Sequence, residues 1–143
     1  MFKKISLGLL LLAVSGAAEA KPFIVKTNGT VTDRKTGLIW QQNDDGKEYV
    51  WEAALRYCEE LSFAGQNDWR LPNYKELTSL VEYGKFSPAI FITYFPKTKS
   101  ANYWSSTTDV SGKSGAWQVN FQSGFVDSYF KHLGSFVRCV HGG

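Results

Sequence analysis

The run Asp68-Trp69-Arg70-Leu71-Pro72-Asn73-Tyr74-Lys75-Glu76-Leu77 constrains this chain more than any other stretch. Leu71 precedes a proline, whose ring pushes it out of helical space and towards an extended backbone. Asn73 can then cap a helix, its side-chain oxygen accepting from an orphan backbone N–H of the first turn. Glu76 lies three residues on and can reach back to complete a capping box. The stretch therefore predicts an extended segment that turns sharply into a helix, with Trp69 and Arg70 at the bend. Arg70 has a partner within reach in Glu76, and a planar guanidinium paired with a carboxylate would lock that bend. A structural role for Trp69, Arg70, Asn73 and Glu76 is preferred here over ligand contact.

The start of the chain has a different character. Lys3 and Lys4 precede a mostly apolar run, Ile5 to Val14, too short to span a bilayer comfortably. Ala18-Glu19-Ala20 has the small-x-small form of a signal-peptidase site. Residues 1–20 are read as a signal peptide cleaved after Ala20, and residues 21–143 as a single domain. No later stretch is long and apolar enough for a membrane helix. The expected location is periplasmic or secreted. Charge excludes one class of partner: the chain has 16 basic and 13 acidic residues, and such a weak excess does not call for nucleic acid.

Two cysteines, Cys58 and Cys139, follow the leader. In an oxidising compartment one disulfide is the economical reading. A reactive or metal-binding pair is the alternative, although neither cysteine stands in a C-x-x-C or beside a histidine cluster.

Between these landmarks the pattern alternates between strand and helix. Phe23-Ile24-Val25 is β-prone. Thr30–Thr32 and Leu38–Trp40 predict a hairpin around Asp33-Arg34-Lys35-Thr36-Gly37, where Gly37 is free to take positive φ. Gln41 to Lys47 is a polar loop. From Tyr49 to Leu61 an apolar face of Val50, Ala54, Cys58 and Leu61 recurs at helical spacing. The second helix is expected from Tyr74 to about Tyr83. Phe86 to Thr98 is irregular but apolar, hence packed down. Strands are expected at Tyr103–Thr107, Ala116–Phe121 (Trp117, Val119 and Phe121 on one face), Phe125–Phe130 and Phe136–Val140. This order gives an α+β domain: two helices packed on short antiparallel strands, with one disulfide.

Six motifs occur in order: Thr36-Gly37-Leu38-Ile39-Trp40, Ala54 to Cys58, Asp68-Trp69-Arg70-Leu71-Pro72, Glu76-Leu77, Tyr103-Trp104-Ser105-Ser106 and Val137-Arg138-Cys139-Val140. Together they resemble a bacterial family named after the C-terminal domain of a Legionella collagen-like adhesin. The resemblance implies a C-type-lectin-like fold, shared with the formylglycine-generating enzymes. The adhesin domain is associated with trimers and with sulfated glycosaminoglycans. The enzymes of the wider group use a cysteine pair with copper, a chemistry that a Cys58–Cys139 disulfide would weigh against.

No catalytic residue is assigned, and no cofactor or metal is expected. His132 and His141 stand in no nucleophile or zinc motif, and His141 reads as part of a terminal tail. Ser105-Ser106 lacks an evident base and reads as hydrogen bonding within a sheet. Asp44 and Asp45 invite a calcium reading, but their spacing is not that of an EF-hand loop. The expected function is that of a non-catalytic binding module for carbohydrate or a sulfated extracellular polysaccharide, as in adhesion. Lys97, Lys99 and Lys113, in two of the long loops, are the candidate contacts, set against the plain reading that scattered lysines keep a domain soluble. The alternative function is a protein–protein module of a bacterial envelope assembly, using exposed aromatics such as Tyr94 and Tyr103.

Overall fold

The computed structural model describes residues 20–143, together with Lys3 and Gly8. The expected signal peptide otherwise lies outside the described residues. No described helix is long and apolar enough to cross a membrane.

The hairpin organises the first sheet. Gly37 takes φ +74°, where a side chain would be strained. Its N–H donates to Asp33 O at 2.8 Å. Strand β2 (Thr30–Asp33) thereby pairs with β3 (Ile39–Gln41), with Val31 opposite Trp40. Strand β1 (Phe23–Val25) adds to the outer edge of β2, with Phe23 opposite Asp33. On the other side of β3 lie β8 (Val140–His141) and then β4 (Trp69–Arg70), all antiparallel. The first and last strands of the chain thus share one sheet. His141 is not in a tail: it is paired with Ile39 and Trp69 in the middle of this sheet.

Helix α1 (Trp51–Glu59) follows β3, and helix α2 (Tyr74–Thr78) follows β4. Asn73 Oδ1 accepts from Glu76 N at 2.8 Å, and Glu76 Oε1 accepts from Asn73 N at 2.9 Å, a complete capping box. The second helix is shorter than its sequence suggests. The Thr78 and Ser79 hydroxyls bond the Lys75 and Glu76 carbonyls, competing for the acceptors that a longer helix would use. Leu80 and Val81 then bond three residues back, and Val81 bridges Ile90 instead of continuing the helix.

The second sheet is a meander of β5 (Asn102–Thr108), β6 (Gly115–Asn120) and β7 (Val126–Phe130). Both faces of β6 are covered. Val119 and Phe121 are buried on one side, as expected, and Trp117 only partly so. Gln118 is buried opposite them, its side-chain amide donating to Ser135 Oγ. The last strand is also shorter than expected. Phe136 N–H donates to Asn102 O, and Phe136 O accepts from Trp104 N–H, so this part of the chain bonds to β5. Only Val140 and His141 join the first sheet.

Two apolar clusters fill the interior. One gathers Val31, Trp40, Leu77, Leu80, Phe95, Tyr103 and Val140; the other gathers Ala54, Trp69, Leu71, Trp104 and Val137 around the Cys58–Cys139 disulfide. That bond joins α1 to the residue before β8 across a separation of 81 residues. In the chain-entropy picture, closing a loop of this length stabilises the fold by about 4 to 5 kcal/mol. The segment 86–98 is packed down: Phe91, Tyr94 and Phe95 all set their rings against Phe23, at 5.2 to 5.5 Å between centroids.

Candidate functional site: a basic groove at the edge of the first sheet

The hairpin turn that starts the first sheet also builds a concave surface. Asp33 Oδ1 accepts from Lys35 N at 2.8 Å, and Leu38 N donates to Thr36 Oγ1 at 3.2 Å, so the turn is held by its own side chains. Arg34 N donates to Pro22 O at 3.0 Å and fastens the turn to the chain that leads into β1. A groove of about 580 Å³ opens here. Its floor is Phe23 and Phe91, Ser79 closes the end nearest α2, and Lys21, Arg34 and Lys35 stand on its rim.

The charges of this groove are unbalanced. Lys21, Arg34 and Lys35 are exposed, and none belongs to an ion pair among the described residues. Among the described residues, Asp33 is the one acidic residue lining the groove. It is buried and occupied by the Lys35 N–H. Apolar floor and cationic rim suit a chain that carries both flat apolar faces and anionic groups.

The candidate lysines are placed differently. Lys99 is turned inward: its Nζ is 2.7 Å from Asp44 Oδ1 and 4.9 Å from the centre of the Phe136 ring. Lys97 and Lys113 are exposed, but they flank opposite ends of β5. Seven strand residues at roughly 3.3 Å each put those ends roughly 20 Å apart. The structure thus does not gather the three into one cluster. The groove's cations come from the chain just before β1 and from one turn tip. The turn itself was legible, but its closeness to Phe91 and Ser79 is not a local property.

The loop 41–47 forms a second recess, of about 520 Å³, with Asn28, Gln41, Asn43, Asp44, Asp45 and Tyr57 on its walls. Most of its polar groups are taken up by partners within the protein. Asp44 accepts from Lys99 Nζ, Tyr103 OH and the Gly46 N–H, with Arg138 Nη2 at 4.0 Å. Burial opposes ionisation of Asp44, but these donors outweigh it and hold the carboxyl below its ordinary range. Burial, with Asp44 beside it, pushes the Tyr103 phenol up, so it stays a donor. Tyr49 OH donates to Asp45. A carboxylate already matched by two cations is a poor calcium ligand. Among the described residues, no group of three or more His, Cys, Asp or Glu is arranged to hold a metal ion.

Arg138 anchors this interior. Its side chain is fully buried. Nη1 donates to the carbonyls of Gln41 and Gln42, and Nη2 donates to Thr98 Oγ1 at 2.8 Å. Its guanidinium lies over the rings of Phe95 and Tyr103, at 5.0 and 5.7 Å. At the surface, Arg70 grips Glu76 with two bonds of 2.7 Å and donates to Gly142 O. Ser105 Oγ donates to Trp117 O at 2.6 Å, which makes it part of the sheet and not a nucleophile.

The aromatics expected at the surface are elsewhere. Tyr103 is fully buried and Tyr94 packs on Phe23. Tyr103 is a core residue because its OH reaches Asp44, 59 positions away, a partner no local pattern reveals. Among the described residues, the exposed aromatics are Tyr83, Phe86, Phe125 and Phe130.

A family model for the Lcl C-terminal domain, that of the Legionella collagen-like adhesin, matches residues 29–141. The chain belongs to the Lcl C-terminal domain family. No curated protein matches it. All six motifs quoted above lie within the matched span, as do Arg34, Lys35, Ser79 and Phe91 of the groove. Lys21, Pro22 and Phe23 precede that span, so one wall of the groove is built by residues flanking the Lcl C-terminal match.

Proposed function

We propose that this Lcl C-terminal domain is an exported, lectin-like, adhesion-type binding module, located in the periplasm or secreted, that takes a sulfated or otherwise anionic polysaccharide in the groove beside β1. The observation that carries the reading is the set of three unpaired cations, Lys21, Arg34 and Lys35, around an apolar floor. Sulfates meet such cations mainly as charges, so affinity falls steeply with salt, because exposed pairs are screened within about 8 Å at physiological ionic strength.

The test is immobilised heparin, with dextran as the uncharged control. The domain should bind heparin at low salt, release it on raising salt, and ignore dextran. The double variant Arg34→Ala/Lys35→Ala should bind about tenfold more weakly and keep its melting temperature. Absence of heparin binding at low salt, or an unchanged affinity in the double variant, rejects the reading.

A second reading, a module that binds an envelope protein, is supported by Tyr83, Phe86 and Phe125. They are 70 to 80% exposed. They lie on two loops joined where Ser87 N donates to Gln122 O. Exposed aromatics are typical anchors of protein interfaces. Crosslinking from these positions in intact cells separates the two readings.

A further inference from the structure

Resting on the groove reading above, we infer that cleavage of the leader supplies a fourth cation to the groove: the α-ammonium of Lys21. Ala20, Lys21 and Pro22 all line the groove, and Arg34 N–H holds Pro22 O at 3.0 Å. The rung Phe23–Asp33 then fixes the chain as it enters the sheet. The peptide bond between Ala20 and Lys21 is therefore attached to the groove wall by the residues that follow it. Hydrolysis by a signal-peptidase-type protease adds water across that amide. The carboxylate leaves on Ala20 with the leader, and the new Lys21 amine takes up a proton. A neutral amide at the rim becomes a positive charge, within one residue of the Pro22 anchor.

This charge differs from the other three in where it titrates. An α-amino group loses its proton near pH 7.7 to 8.0, whereas lysine and arginine side chains stay charged well above pH 9. The groups that face it are the Lys21 side chain, and Asp33, Arg34 and Lys35 of the turn. Ser79 and Phe91, from the remaining walls, do not titrate. His141 is in β8 and His132 lines a separate recess with Val50, Glu52 and Lys131. The α-amine is thus a group whose ordinary pKa falls between pH 6.5 and 9. Its positive form, present below about pH 7.7, favours an anionic ligand. A bound polyanion raises its pKa, so the advantage is lost as pH rises through that bound value.

The experiment starts with the exported, mature chain, whose first residue is read by mass spectrometry. Heparin affinity is then measured at fixed low salt from pH 6.5 to 9, for this chain and for the same chain acetylated at its α-amine. The mature chain should begin at Lys21 and lose about fivefold in affinity across the range, the worth of one exposed ion pair. The acetylated chain should be flat and match the mature chain at pH 9. Arg34→Ala should lower affinity at every pH while keeping the pH step. A mature chain starting elsewhere, a flat profile for it, or an equal step in the acetylated form overturns the inference and leaves the groove reading standing. A mature chain that ignores heparin even at pH 6.5 overturns both.

Discussion

Lys99 and Lys35 carry the same chemistry to opposite ends. Lys99 lies against Asp44, beside a buried arginine and two aromatic rings, and its charge is neutralised within the protein. Lys35 stands on a turn tip and gives only its backbone N–H to the protein. The same contrast holds between the Arg138 interior and the Arg34 groove as whole regions. A charge enclosed by partners holds the fold, because removing it strands other buried polar groups. A charge without partners adds little to the fold, and what it offers is an outward field. Cation count therefore says little about where this domain binds; pairing says more.

The contrast is breakable. Arg138→Ala takes the guanidinium from the Gln41 and Gln42 carbonyls and from Thr98 Oγ1, and leaves Asp44 with Lys99 as its one cation. It should lower stability by about 3 to 5 kcal/mol in urea unfolding, a large part of what a domain this size has. A loss below about 1 kcal/mol would mean the interior is not held by its charges. Arg70→Ala, at a half-exposed bidentate pair, should lose about 1 to 2 kcal/mol near neutral pH.

That Arg70 effect has a pH signature. The Arg70 hydrogen bonds hold the Glu76 carboxyl below its ordinary 4.5, against a smaller opposing effect of burial. A folded pKa below the unfolded one means the stabilisation is complete above pH 4.5 and disappears as pH falls through the folded value. Wild-type and Arg70→Ala melting curves should therefore converge on acidification below that point.

The sharpest comparison uses the two lysines together. Lys99→Met should lose about 1 kcal/mol of stability with heparin affinity unchanged. Lys35→Met should do the reverse, with about a fivefold loss of affinity and no change in melting. Lys113→Ala, beyond the far end of β5, should move neither measurement. A Lys113 variant that loses heparin affinity would return the site to the long loops.

Much of the fold was legible where its causes are local. The Asn73 cap, the Arg70–Glu76 grip and the Gly37 turn each complete within a few residues, and the sequence predicts each. The short α2 depends on hydroxyls at Thr78 and Ser79 finding backbone carbonyls, which helical periodicity does not weigh. The position of Lys99 depends on Asp44, 55 residues away. The groove is less legible still, since its walls come from the chain before β1, the β2–β3 turn, the end of α2 and the segment around Phe91. Periodicity reports faces of single elements, whereas a concavity arises from how several meet.

The position of β8 has a consequence for the order in which the molecule can be made. This strand lies between β3 and β4, yet it is the last to emerge during synthesis. Until residue 141 is available, β3 and β4 have no common neighbour, Cys58 has no partner, and Gln41 and Gln42 have no guanidinium to bind. A growing chain cannot complete its first sheet before β8 has been made. The first sheet and the disulfide therefore close together, late, once the residues of β8 are present.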